Sequence, residues 1–388
     1  MSNEIPIGLA KSGRRAWALD DVAIVPNRRT RSPQDVSLDW QIDAYTFSAP
    51  VLGAPMDSVM SPATAIALGR LGGLGVLNLE GLWTRYEDPE PVFEEIARLE
   101  GAEASPETTR RLQELYAEPI KAELITQRLA EIREAGVVVS GSLTPQRTQE
   151  FYRTVIDAGV DMFVIRGTTV SAEHVSQHNG GDTGDGSGPL NLKEFIYELD
   201  VPVIVGGASG YTPALHLMRT GAAGVLVGFG GGSATTTRRA LGIRVPMATA
   251  ISDIAAARRD YLDESGGRYV HVIADGGLGS SGDIVKALAM GADAVMLGTT
   301  LARAEETPGQ GWHWGLEAVH PDFPRGHRTH VGTVGPLEEV VWGPGHHTDG
   351  SSNLMGGLRR AMAATGYSDL KSFQRVDATV SPMSPQPR

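Results

Sequence analysis

The chain has 388 residues, 41% of them apolar, no cysteine and a formal net charge of −12. That balance excludes the electrostatic footprint of a nucleic-acid or anionic-membrane binder, and the missing thiols exclude disulfides and thiolate metal centres. The opening MSNEIPIGLAKSGRRAW has no apolar core of signal-peptide length, and no run reaches the ~18 residues of a membrane span, so the expectation is a soluble, cytoplasmic protein.

In chain order, FSAPVLGAPMDSV followed by PATAIALGRLGGLGVLN is the first strand–helix–strand unit. Residues 84–135 are charged, glycine-poor and helical in pattern, and are expected to be an excursion outside the main wall. VIDAGVDMFVIRG then ends another unit, with Gly159 seven residues before Arg166. A repeat follows. VPVIVGGASGYTPALHLMRTGAAGVLVG and VHVIADGGLGSSGDIVKALAMGADAVMLG share glycine spacings of 15 and 7 residues, at Gly206, Gly221 and Gly228 and at Gly276, Gly291 and Gly298. Each copy reads as an apolar strand, a glycine turn, a helix and a second strand; Ile284, Val285, Leu288 and Ala289 fall on one helical face. The strands are continuous apolar runs, as in parallel strands covered on both sides. Residues 303–352, rich in Gly, Pro, His and Trp, are expected to form a lid loop. NLMGGLRRAMAATG supplies a last amphipathic helix, and the tail 381–388 is expected to be disordered.

Strand–helix alternation at this frequency implies a parallel sheet. No G-x-G-x-x-G follows an early strand, which disfavours an open dinucleotide-binding sheet. The expected fold is α/β, a single (β/α)8 barrel spanning the chain. Such barrels carry their sites at the C-terminal strand ends, often with phosphate held after strands 7 and 8. Gly277 and Gly298 let backbone approach a phosphate there, and Ser281 is a natural N-cap for the helix between them. Asp275 ends a buried strand, so its carboxylate faces the mouth and suits ribose hydroxyls. Pairs such as His346 and His347 with Asp349, or His327 with His330, lack a third ligand at defined spacing and do not make a metal motif.

Together these segments resemble the IMP dehydrogenase / GMP reductase family over most of the chain. The resemblance is carried by LDDVAIVPNRRT, by APMDSVMSPATAIALGRLGGLGVLN, by VIADGGLGSSGDIVKALAMGADAVMLGT, and by GPLEEVVWG with NLMGGLRRAMAATGY. It implies a homotetrameric or octameric barrel enzyme acting on a purine nucleoside monophosphate (IMP, XMP or GMP), with NAD or NADP. By position, Ser233, Gly277, Gly298 and Thr299 would hold the phosphate and Asp275 the ribose. Arg166, Gly228 and Gly230 would lie on the cofactor side. The backbone of Gly230, Gly232 and Thr235 would lie where the dehydrogenases bind a monovalent cation such as potassium. The excursion stands where the family usually inserts two regulatory CBS modules.

The reacting residues depart from the family. Its loop GxGPGSxCTTR reads GFGGGSATTTR here, with Thr235 at the catalytic cysteine and Thr237 at the threonine of the proton relay. A thiol near pKa 8.5 is a few per cent thiolate at neutral pH, whereas an unassisted alcohol is not ionised. Arg166 replaces an aspartate that contacts the nicotinamide ribose, and arginine accepts no hydrogen bond. The family's flap arginine, which activates water, has Arg328 as its nearest counterpart. Trp312 and Trp314 are expected to pack under the lid, with room for one of them beside the purine. Three readings follow: a purine nucleotide oxidoreductase with altered chemistry, a nucleotide-binding regulatory protein without turnover, or a barrel enzyme on another phosphorylated substrate.

Overall fold

Eight short runs become the parallel strands of one closed barrel in a computed structural model of the chain, which describes residues 4–99, 105–167, 170–172 and 191–381. In chain order the strands are β1 (Val51–Gly53), β2 (Leu74–Asn78), β3 (Ser140–Leu143), β4 (Met162–Arg166), β5 (Val203–Ala208), β6 (Gly224–Val227), β7 (His271–Asp275) and β8 (Ala294–Leu297). Each pairs with its chain neighbours, and Val295 opposite Val51 closes the ring. β6 and β8 are buried along their whole length, because the barrel interior packs one face and the helices cover the other.

The helices between β1 and β3 are α1 (Pro62–Arg70), α2 (Glu90–Arg98), α3 (Pro106–Leu115) and α4 (Ala122–Glu134). After β3 come α5 (Pro145–Asp157), α6 (Leu192–Tyr197), α7 (Tyr211–Arg219), α8 (Thr237–Leu241), α9 (Met247–Glu264), α10 (Ser281–Ala289), α11 (Leu337–Val341) and α12 (Leu354–Thr365). The expected excursion is corrected at its end: α4 packs between α1 and α5 and is a wall helix of the barrel. Its charged outer face is that of any solvated barrel helix, which is why its composition matched the segment before it. The segment that truly leaves the wall carries α2 and α3. The repeat folds as read, β5–α7–β6 and β7–α10–β8, with Ile284, Val285, Leu288 and Ala289 buried.

The N-terminal end of the barrel is closed by a hairpin of Trp40–Ile42 and Tyr45–Phe47, whose Trp40 Nε1 donates to His271 Nδ1 at 3.1 Å. Val22–Val25 pairs antiparallel with Asp377–Val380, joining the two ends of the chain. Residues 303–352 are tied down at several points. Trp312–His313 pairs with Thr329–His330, Ala304 bridges Gly335, and the Gly350 carbonyl accepts the Ser281 N–H. The expected disordered tail lies, apart from Ser381, outside the described residues.

Candidate active site at the barrel mouth

A cavity of about 470 Å³ opens at the C-terminal strand ends. Five groups singled out in the sequence line it together: Ser233 after β6, Asp275 and Gly277 at and after β7, and Gly298 and Thr299 after β8. Gly230, Gly232, Thr235 and Arg166 line it as well. The glycine loops after β6 and β7 press backbone on backbone, and a Cβ on Gly231 would stand 3.1 Å from the Gly277 nitrogen. A side chain at Gly231 would crowd the facing backbone, and the glycines leave bare peptide groups along this part of the wall. The Ser233 and Thr299 hydroxyls lie 3.1 Å apart, and the Ser233 N–H donates to Thr299 Oγ1 at 3.3 Å. This couples the loops after β6 and β8.

Two expectations about these loops are corrected. The N-cap of α10 is Ser280, whose side chain accepts the Asp283 N–H; Ser281 is the first helical residue. Gly228 lines neither cavity at the mouth. It has φ +98°, and a Cβ there would meet Met247 Sδ at 2.5 Å and the Asp275 carbonyl at 2.7 Å. Only glycine fits this packing, and it stands behind the cavity wall and not on it.

Asp275 does not face the cavity alone. Arg166, the last residue of β4, donates from Nε to Asp275 Oδ2 at 2.9 Å across the mouth. Burial lowers the pKa of this guanidinium, but the Asp275 and Glu317 carboxylates outweigh burial and raise it. Arg166 is thus a fixed cation and no base. Beside the pair lies a second, larger cavity of about 1020 Å³, which shares Met56, Arg166 and Glu317 with the first. Arg85, Arg147 and Arg325 also line it, with Glu80 and Glu150. Burial raises the Glu80 pKa and lowers that of Arg85.

Thr235 has no base. Its hydroxyl bonds Thr237 Oγ1 at 3.0 Å and the Arg325 carbonyl at 3.4 Å, and it accepts the Thr237 N–H at 3.3 Å. The segment 325–327 docks on this stretch through Thr236 N–H to the Arg325 carbonyl (2.7 Å) and His327 N–H to the Ala234 carbonyl (2.9 Å). Arg328 is a correction. Its guanidinium is buried away from both cavities, where it bonds the Ile96 carbonyl at 2.7 Å and the Leu99 carbonyl at 2.5 Å. It also lies 3.7 Å over the Trp312 ring. It caps the C-terminus of α2, whose last carbonyls need donors, and is not placed to activate water.

Sequence reasoning passed over three features. Glu317 lies beside Arg166. Asp57, after β1, is buried and accepts from the Tyr116 hydroxyl (2.5 Å), the Leu82 N–H (3.0 Å) and Asn78 Nδ2 (3.2 Å); Trp314 Nε1 donates to Tyr116 at 2.9 Å. Burial raises the Asp57 pKa against those bonds. The third is His313, which lines the smaller cavity between two tryptophans that do not. The alternation within GWHWG was the available signal, since neighbouring residues on a strand face opposite sides.

The fold and the place of the cavity define a (β/α)8 barrel that carries its site in the loops at the C-terminal strand ends. The chain belongs to the IMP dehydrogenase / GMP reductase family, whose domain model matches residues 16–315. It is 53% identical over 380 residues to an uncharacterized oxidoreductase of Mycolicibacterium smegmatis, covering 97% of this chain and 99% of the other. To the inosine-5′-monophosphate dehydrogenase of Cryptosporidium parvum it is 28% identical over 397 residues, covering 94% and 92%. Among solved structures it is similar to an IMP dehydrogenase/GMP reductase-like protein from Corynebacterium glutamicum, with TM-score 0.90, 49% identity and 98% of both chains covered.

Proposed function

We propose that the chain is a purine nucleotide oxidoreductase in which the phosphate-gripping half of the family's site is kept and the reacting half is rebuilt. The observation that carries this reading is the meeting of Ser233, Asp275, Gly277, Gly298 and Thr299 on one cavity. Bare N–H groups and two hydroxyls suit a 5′-monophosphate in a chain whose net charge of −12 repels anions elsewhere. Asp275 gives one oxygen to Arg166 and keeps the other for a ribose hydroxyl. IMP, XMP and GMP are the ligand candidates, and relatives named as inosine-5′-monophosphate dehydrogenases support that class.

The larger cavity fits a phosphate-bearing cofactor of the NAD or NADP kind by its donor set. Arg85 and Arg147 would take phosphates and Glu80 and Glu150 hydroxyls, with Arg166 and Gly230 toward the smaller cavity. When bound, a nicotinamide supplies a hydride acceptor or donor. The chain's own residues orient the two ligands across Met56 and Glu317, which both cavities share. A monovalent cation would rest on the Gly230, Gly232 and Thr235 carbonyls, of which that of Gly232 already accepts the Thr235 N–H. The assembly is read as a homotetramer or octamer, checked by light scattering.

The second reading, nucleotide binding without turnover, is favoured by one observation: the bonds on the Thr235 hydroxyl come from a hydroxyl, a carbonyl and an amide, none of them a base. Thermal shift and calorimetry with IMP, XMP and GMP, followed by nicotinamide absorbance with NAD, NADP and their reduced forms, separate the two. Binding with absorbance change supports the oxidoreductase and binding without it the regulator. No binding of any nucleotide removes both.

A further inference from the structure

His313 is buried at 1% exposure, yet it lines the smaller cavity. Its place follows from the short strand Trp312–His313 opposite Thr329–His330. Trp312 turns outward to Arg328 and His330, and His313 turns inward to Ser58, from the loop after β1. Ser58 Oγ and His313 Nδ1 are 3.0 Å apart. The same Ser58 hydroxyl donates to the Trp314 carbonyl at 3.0 Å and accepts the Trp314 N–H at 3.2 Å. A hydroxyl has one proton. The buried Trp314 carbonyl can only accept, so we place the proton there, and the His313–Ser58 bond is then donated by His313 Nδ1–H. The ring is neutral, and its Nε2 carries a lone pair. Among the described residues nothing bonds Nε2, and the adjacent Cε1 lies 3.6 Å from where a Cβ on the cavity-lining Gly298 would be.

We propose that His313 reads the ligand, its Nε2 accepting a hydrogen bond from a neutral N–H or O–H donor of the bound nucleotide. The inference rests on the nucleotide reading above and assigns a contact within that site. A phosphate dianion has no proton to give, so the donor is a ribose hydroxyl or the lactam N1–H of a 6-oxopurine. Burial lowers the His313 pKa to about 4, so the ring is neutral at neutral pH and keeps one acceptor nitrogen.

The test is calorimetric binding of IMP, AMP (no N1–H), 2′-deoxy-IMP, 3′-deoxy-IMP and inorganic phosphate to the full chain, its His313→Leu variant and its His313→Gln variant. His313→Leu is expected to weaken IMP binding about tenfold, as for loss of one buried hydrogen bond. Its effect on phosphate should stay within about twofold. His313→Gln, which keeps an acceptor, recovers most of the loss. The wild type should prefer IMP over one of the three analogues about tenfold, and His313→Leu should close that gap to within about twofold. The analogue whose gap closes identifies the donor. If every gap persists in His313→Leu, or if it weakens phosphate and all nucleotides alike, the assignment falls while the nucleotide reading stands. If the wild type binds no nucleotide, the nucleotide reading itself fails and takes the assignment with it.

Discussion

Arg166 and Asp275 hold together strand ends that the barrel keeps three places apart, and the ion pair is deep enough for its loss to be felt. The Arg166 side chain is 23% exposed and that of Asp275 8%. Asp275→Asn removes the nearer carboxylate and leaves the guanidinium with Glu317. A cost of about 2–3 kcal/mol is expected, seen as a lower midpoint in denaturant unfolding. His313 gives a pH prediction with a definite sign. Its pKa of about 4 lies below the ~6.5 of an unfolded histidine, so folding favours the neutral ring. That contribution, about 3 kcal/mol, is fully present above pH ~6.5 and is lost as pH falls toward 4. In His313→Gln the stability profile should be flatter across that window. At Thr235, replacement by alanine should leave any turnover within about twofold, because no base activates the hydroxyl. Thr235→Cys should form a covalent adduct with IMP and NAD that mass spectrometry detects, if the rest of the site is competent.

Helices and strands differ in how much of them could be read beforehand. The repeat was legible because its apolar period and glycine spacing are local, and both copies carry them. α4 was not, since its exposed face has the charge of the excursion and only packing against α1 and α5 tells them apart. Ser280 and Ser281 are adjacent serines, so the helix start was ambiguous by one residue until the Asp283 N–H chose. Arg328 was matched by position along the lid, but the carbonyls at the end of α2 claim it. Arg328→Met should therefore cost about 2 kcal/mol by uncapping that helix and losing the contact on Trp312. Limited proteolysis within α2 should speed up, while IMP affinity stays within about twofold.

For the molecule as a whole, the barrel rule points to one end of the ring, where loops from distant parts of the chain gather. Asp275, Gly277 and Gly298 follow from it, Ser233 and Thr299 from the family resemblance, and all five line one cavity there. The pairing of Arg166 with Asp275 could not be foreseen, because the partners are 109 residues apart and nothing local marks either for the other. The ends of the chain also depend on each other. Asp377–Val380 covers Val22–Val25, so truncation after Arg375 leaves an N-terminal strand unpaired. Such a chain should unfold at a temperature several degrees lower and aggregate more readily in light scattering.

The buried Asp57 receives Tyr116 from the excursion, and Tyr116 receives Trp314 from the lid. These two covers are therefore not independent doors. Displacing either one alone strands a carboxylate or an indole without its neighbour, so the two segments are expected to loosen together. A substitution that loosens Tyr116 should then raise hydrogen exchange around Trp314 as well as within the excursion.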